Sequence, residues 1–207
     1  IETVLEEIPA LEQDAQFFKA FKRVRNLLKT YRGRPEASEL NALQHRLYQY
    51  HRKSSGLDFA IGQLGSDSTT AVSVASGKLL EAGEVGLIFL RKAVRQADPK
   101  IAAGAAEVLI QQREPRITRL MVERMEQDPP ESLSDDLGTL LQQMGRIEPE
   151  WIDRLCTLAR REGAAQAAVG SVLIDRLQRS IRSQLETAKP KEGKGKAAKK
   201  DKPEQPE

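Results

Sequence analysis

A turn signal followed by a leucine-ended segment recurs about every thirty residues in this chain of 207 residues. Asp98-Pro99 returns as Asp128-Pro129, and Asp67-Ser68 stands about thirty residues before the first of them. The apolar pairs at 79–80, 109–110 and 140–141 keep the same spacing. Repeats of this length are typical of stacked helical hairpins, because a single hairpin cannot bury its apolar face alone. We therefore predict an all-α chain built from three hairpins between residues 67 and 162.

The composition favours helices over sheets throughout the chain. Aromatic residues make up only 4 % of it, while leucine, alanine, arginine, glutamine and glutamate are frequent. These are strong helix formers, and few of the residues that favour strands are present. We expect residues 10–187 to form about nine helices and no sheet.

Three regions follow from the positions of apolar residues, proline and glycine. Residues 1–66 read as an N-terminal helical extension with two longer helices, one over Pro9–Arg32 and one over residues 35–53, and a short helix over residues 57–64. Residues 67–187 read as the repeat domain, whose last helix, from about residue 164, covers the open end of the stack. Residues 188–207 contain no Val, Ile, Leu or aromatic residue, and this composition predicts a disordered tail.

The net charge of +3 comes from the tail, because residues 189–207 hold seven lysines and four acids. The preceding residues are balanced in charge. No apolar run is long enough to span a bilayer, so we expect a soluble chain without a membrane span. A cytoplasmic location is favoured, and an exported form is left open because the chain begins at Ile1.

One repeat resembles a HEAT-type repeat in the identity of its residues as well as in their spacing. It combines an Asp-Pro start, small residues at the position where two helices touch, and an aliphatic stripe on the second helix: Asp98, Pro99, Ile101, Ala105, Ala106, Leu109, Pro115, Ile117, Leu120 and Met125. The resemblance extends over roughly residues 67–162 and departs from the pattern at Ala102, where such repeats often carry a basic residue. It implies a curved α-solenoid that holds proteins or, less often, nucleic acid, and it implies no catalytic residue.

Residues able to perform catalysis or bind metal are sparse. His45 and His51 are six residues apart, which places them on well-separated faces of a helix. The only cysteine, Cys156, has no neighbouring base in the sequence to activate it. We expect no catalytic residue, no metal site and no cofactor. Trp151 with Asp153 resembles a pair that DNA-repair solenoids use, and this makes an enzyme the third alternative.

A basic segment is the strongest signal for a ligand. No acid occurs between Asp14 and Glu36, whereas seven lysines and arginines do. Four of these cations, predicted on one helix face opposite the apolar positions, form the candidate surface for an anionic partner: Lys19, Lys22, Arg23 and Lys29. Two functions follow. The first is a non-enzymatic protein-protein interaction scaffold whose partner is another protein or peptide. The alternative is a nucleic-acid-binding helical-repeat domain acting through the basic segment Lys19–Arg34.

Overall fold

The structure is a computed structural model that describes residues 2–127, 131–144, 147, 149–161, 163 and 165–188; the side chains of 2–4 and 184–188 are excluded. Within these residues the chain is all-helical, and no strand occurs. The helices are α1 (Glu2–Gln13), α2 (Phe17–Thr30), α3 (Ala37–Lys53), α4 (Leu57–Gln63), α5 (Thr69–Glu81), α6 (Glu84–Gln96), α7 (Pro99–Gln111), α8 (Ile117–Glu126), α9 (Glu131–Gln143), α10 (Pro149–Leu158) and α11 (Ala165–Ala188). The all-α prediction is confirmed. The predicted tail began at residue 188, but α11 extends to Ala188, so the prediction is wrong at this residue. Residues 189–207 of the predicted tail, the second Asp-Pro turn at 128–130 and Ala164 lie outside the described residues.

The N-terminal region differs from the prediction, because the single helix predicted over Pro9–Arg32 is two helices. The chain breaks after Gln13, and Ala15 takes a left-handed conformation with φ of 56°. The break lets α1 fold back so that Ile8 is buried in a cluster with Ala20 and Val24 of α2 and two leucines of α3. A continuous helix would leave the Ile8 side chain in water. Burying such a side chain is favourable by about 1.5–3 kcal/mol, which helps to stabilise the break.

The repeat region shows the predicted helix starts. The Asp98 side chain accepts a hydrogen bond from the Lys100 amide at 3.1 Å, and Pro99 occupies the first turn of α7. One repeat earlier, Ser68 caps α5 by accepting from the Ala71 amide at 3.4 Å. Both side chains satisfy amides that a helix leaves without an internal partner.

Contacts between the helices follow a regular order in the C-terminal half. The first helix of the second hairpin contacts the first helix of the third, so α7 touches α9, and α9 in turn touches α11. The second helices do the same, so α6 touches α8 and α8 touches α10. One main core runs through these contacts, and the apolar pairs each contribute a fully buried leucine, namely Leu79, Leu109 and Leu141.

Two arginines of α11 stabilise the end of α9. Arg179 donates to the carbonyl oxygen of Gln142 at 2.8 Å, and Arg176 donates to the carbonyl oxygens of Leu141 and Met144. These carbonyls belong to the last turn of α9 and to the residue that follows it, where no amide of the helix itself reaches them. Burial, followed by the nearby charge of Arg179, lowers the pKa of Arg176 below the usual arginine value. The last helix is therefore anchored to its neighbour through polar as well as apolar contacts.

Replacing Ala106 with leucine tests how tightly α7 is packed. Ala106 is fully buried in the main core, beside the equally buried Ala102 and Ala105. Inserting a larger side chain into a packed core forces neighbours to shift, and we expect Ala106→Leu to lower the free energy of unfolding by about 1–3 kcal/mol. Chemical denaturation monitored by circular dichroism measures this value. An unchanged denaturation midpoint would contradict the packing of α7.

Candidate functional site

The exposed flank of α2 carries a stripe of one aromatic residue and three cations. Phe18, Lys22, Arg25 and Lys29 follow one another at steps of four, three and four residues, which keeps them on one side of a helix. The opposite flank is occupied, because Phe17, Ala20 and Val24 are buried against the remaining helices. The stripe faces solvent beside α3.

Four rings form a continuous aromatic row where α2 meets α3. The Phe18 ring lies 4.9 Å from the ring of His51 and 6.3 Å from that of Phe21, measured between centroids. Phe21 in turn lies 5.8 Å from Tyr48. Phe18 is 46 % exposed and Tyr48 is 45 % exposed, so the row presents ring surface to solvent at both helices. The Lys22 ammonium lies 4.3 Å from the Phe18 ring centroid, within range of a cation–π interaction.

A groove of about 490 Å³ lies between α2 and α3. Its lining contains three cations and two amides but no carboxylate. We call it the basic groove, and its principal lining residues are Arg25, Leu28, Lys29, Arg32, Asn41 and Gln44. Arg25 and Lys29 belong to both the stripe and the groove.

The cations of the basic groove are not neutralised by neighbouring acids. Among the described residues, no carboxylate forms an ion pair with Arg25, Lys29 or Arg32. The acids of α1 are used elsewhere, because Glu7 pairs with Arg23 at 3.7 Å and Glu12 pairs with Arg46 at 2.8 Å. The groove consequently has a positive local potential although the chain up to residue 188 is balanced in charge.

The four residues predicted for an anionic partner are all exposed, and they fall into two groups. Lys22 and Lys29 lie on the stripe beside α3. Arg23 points toward α1, as its ion pair with Glu7 shows, and Lys19 lies four residues before Arg23 on the same flank. The structure thus brings one of the four residues, Lys29, to the basic groove. It places Lys22 on the stripe beside the groove and leaves Lys19 and Arg23 on the side of α1.

A second groove, between α4 and α5, is apolar. We call it the apolar groove; it has a volume of about 500 Å³ and is lined mainly by Phe59, Ala60, Ala71, Val74, Ala75 and Lys78. Phe59 is 72 % exposed and Val74 is 68 % exposed, the highest values among large apolar residues of the described part of the chain. An aromatic ring exposed to this degree at the edge of a groove is typical of a residue that anchors a partner.

A third cleft, of about 370 Å³, lies between α6 and α8 and is rich in arginine. Arg91 there donates to Glu114 at 2.9 Å and to Glu84 at 2.8 Å. Burial acts to lower the pKa of Arg91, but hydrogen bonds and charges from both glutamates outweigh it, so the pKa lies above the usual arginine value. Arg119 pairs with Glu123 at 2.7 Å. Carboxylates therefore neutralise Arg91 and Arg119, while Arg95 donates to the carbonyl oxygen of Gln13 at 3.0 Å, so most of the arginines of this cleft have partners within the fold.

The residues considered for catalysis do not meet. His45 and His51 are exposed, and His51 packs in the aromatic row. Cys156 is a half-buried free thiol on α10. Trp151 packs against the main core, and the guanidinium of Arg154 lies 5.1 Å from its ring centroid. Within the described residues, no three His, Cys, Asp or Glu side chains are grouped so as to hold a metal ion, and no helix is long and apolar enough to cross a membrane.

Sequence reasoning identified the cations of α2 but missed both the aromatic row and the apolar groove. The row joins residues about thirty positions apart, and it depends on how α2 and α3 pair. The spacing of Phe18, Lys22, Arg25 and Lys29 could have indicated the part of the site that lies on α2. Phe59 offered no comparable signal, because an apolar residue on a short helix is ordinarily buried.

Comparison with known proteins returned no match. No protein-family model matches the chain, and neither the curated proteins nor the solved structures contain a match.

Proposed function

We propose that this chain is a non-enzymatic protein-protein interaction scaffold with a HEAT-like α-solenoid architecture over roughly residues 67–162. The order of helix contacts from α6 onward supports the architecture, because α7 contacts α9 and α9 contacts α11, while α6 contacts α8 and α8 contacts α10. Such an order is expected when each hairpin buries its apolar face against its neighbours. In this arrangement α11 packs on α9 and α10 as the terminal layer.

Small residues at the contacts between layers also support the stack. A Cβ atom added to Gly138 of α9 would lie 3.0 Å from the Cβ of Ala168 in α11. One added to Gly104 of α7 would lie 2.6 Å from the carbonyl oxygen of Leu64, just after α4. A side chain at Gly104 would collide with backbone, whereas one at Gly138 would require Ala168 to shift by a few tenths of an ångström, so both contacts between helices are close.

The observation that carries the scaffold function is the apolar groove. Its two exposed apolar side chains, Phe59 and Val74, belong to different helices but line the same concavity. An aromatic anchor beside an aliphatic wall between two helices suits an amphipathic helix, which lays its apolar side into such a groove. Lys78 lines the groove and pairs with no carboxylate among the described residues. We therefore propose an amphipathic helix of a partner protein as the occupant, with an acidic residue placed to meet Lys78.

A peptide selection tests this assignment. A display library of amphipathic helical peptides is selected on the whole chain, and the affinity of recovered peptides is then measured for the parent and for variants. We expect Phe59→Ser to weaken binding by about 30-fold, corresponding to ~2 kcal/mol for a hot-spot residue. Val74→Ser should weaken it less, since valine buries a smaller area. Phe59 is mostly exposed, so the substitution leaves the core intact.

Leu177→Ser is the matched control, because Leu177 is an exposed apolar residue on α11, far along the chain from α4 and α5. The affinity of the Leu177→Ser variant for the recovered peptides should equal that of the parent. Binding should also change little between low and moderate salt, since apolar contacts dominate it. A peptide set that binds the parent and the Phe59→Ser variant equally well would contradict the assignment.

A further inference from the structure

We propose that the basic groove and the aromatic row together form a binding site for single-stranded nucleic acid. This site is separate from the apolar groove, so it adds a second ligand to the proposed scaffold. In it, bases stack on Phe18 and Tyr48, and the phosphates follow Lys22, Arg25, Lys29 and Arg32. Single-stranded nucleic acid is the ligand that offers planar apolar faces and a regular line of negative charge in the same molecule.

The exposed rings provide the surface on which bases stack. Phe18 and Tyr48 are each exposed over nearly half of their surface, although both contact neighbouring rings. The Lys22 ammonium lies over the Phe18 ring, so a base that stacks on this face displaces the flexible lysine side chain, whose charge stays beside the strand. Aromatic side chains beside cations are the usual platform for unpaired bases, because every base has a face that can stack.

The cations on and just after α2 provide the contacts to phosphates. Residues 22 to 29 rise along α2 by about 10 Å, and Arg32 follows two residues after the end of the helix, so the cations can contact more than one phosphate of a single strand. Arg25, Lys29 and Arg32 form no ion pair among the described residues, so phosphates would meet no competing carboxylate. Asn41 and Gln44 on the opposite wall supply donors and acceptors for base edges.

Other anionic ligands suit the site less well. A duplex has its bases stacked inside, so the aromatic row would contribute nothing to binding it, whereas an unpaired strand can use the rings. A membrane surface would require α2 to insert an apolar side, but that side is buried against α1 and α3. An acidic peptide would satisfy the cations and leave the ring faces without a partner.

Fluorescence anisotropy on the whole chain with a labelled 20-nucleotide oligo-dT tests the proposal. Two variants test the two parts of the site. The charge variant is the triple substitution Lys22→Gln, Arg25→Gln and Lys29→Gln. The ring variant is the double substitution Phe18→Ala and Tyr48→Ala. Lys19→Gln/Arg23→Gln/Lys53→Gln is the control, since it removes the same charge from exposed residues outside the groove. The control retains the lysines of residues 189–207, as do the variants, so any contribution of those residues cancels.

We expect the parent to bind, with a logarithmic salt slope that falls by about 0.7 for each phosphate contact removed in the charge variant. The charge variant should bind at least about tenfold more weakly, as should the ring variant, while the control stays within about twofold of the parent. Phe59→Ser should leave oligonucleotide binding unchanged, which separates this site from the apolar groove.

Four outcomes would overturn the proposal. They are the absence of oligo-dT binding at low salt, equal losses in the charge variant and in the control, stronger binding of a matched duplex than of the single strand, and retention of full affinity by the ring variant. Stronger binding of a poly-glutamate peptide, or of vesicles containing anionic lipid, than of oligo-dT would likewise reject it. Circular dichroism confirms that each variant keeps the helical content of the parent.

Discussion

Replacing Gly86 with alanine is expected to be among the most damaging single substitutions in this chain. Gly86 lies in the first turn of α6, and an added Cβ would lie 1.7 Å from the carbonyl oxygen of Leu79 in α5. The obstacle is backbone, so it cannot move aside as a flexible side chain could. We expect the free energy of unfolding to fall by about 3 kcal/mol and the melting temperature by about 6–12 °C. Thermal unfolding monitored by circular dichroism measures the shift.

Gly77→Ala provides the matched control on the neighbouring helix α5. Nothing lies within 4 Å of a Cβ added at Gly77, which is exposed and helical. Alanine there should stabilise the chain by about 0.5–1 kcal/mol, because glycine loses more backbone freedom when a helix forms. If the two variants shifted the melting temperature by the same amount in the same direction, α5 and α6 could not be in the close contact described.

Replacing Arg91 with alanine is expected to have a comparable effect for an electrostatic reason. The Glu114 side chain is only 6 % exposed, and Arg91 is its ion-pair partner at 2.9 Å. One Glu114 oxygen also accepts from the Arg116 amide at 3.4 Å, but this bond does not cancel the charge. Removing Arg91 leaves a carboxylate buried without a counter-ion, which costs about 3 kcal/mol. Urea denaturation of parent and variant measures the difference.

Arg119→Ala is the corresponding control, because it breaks an ion pair at the surface. Arg119 is 61 % exposed and pairs with Glu123 one turn away on the same helix. Such pairs contribute only about 0.3–0.5 kcal/mol. The double variant Arg91→Met with Glu114→Gln removes both charges. It should therefore recover part of the free energy of unfolding that Arg91→Ala loses. Equal, small effects of Arg91→Ala and Arg119→Ala would show that the Arg91–Glu114 pair is open to water.

The sequence predicted the parts of the fold that are set locally. Asp98 and Pro99 begin a helix as expected, because the cap and the missing amide act within one turn. Ala105 and Ala106 were predicted at a close helix contact, and both are fully buried. The regular spacing of the leucine pairs also placed one buried leucine in each hairpin.

The predictions from the sequence fail where the fold depends on contacts between residues that are distant in the chain. The break at Ala15 could not be predicted from the helical spacing of Phe17, Phe21 and Val24, because all three residues lie after the break, within α2. The break follows from burying Ile8 against α2 and α3. The sequence likewise located the cations of the candidate site, but only the pairing of α2 with α3 brings the Phe18 and Tyr48 rings into one row.

Hydrogen–deuterium exchange tests the scaffold claim most directly. The exchange of every described helix is compared in the free chain and in the chain saturated with a peptide selected on it. We predict slower exchange confined to α4, α5 and the turn between them, because bound peptide covers the apolar groove and stabilises the helices that form it. Protection confined to α2 and α3, or no change in exchange at peptide saturation, would contradict the proposed scaffold function.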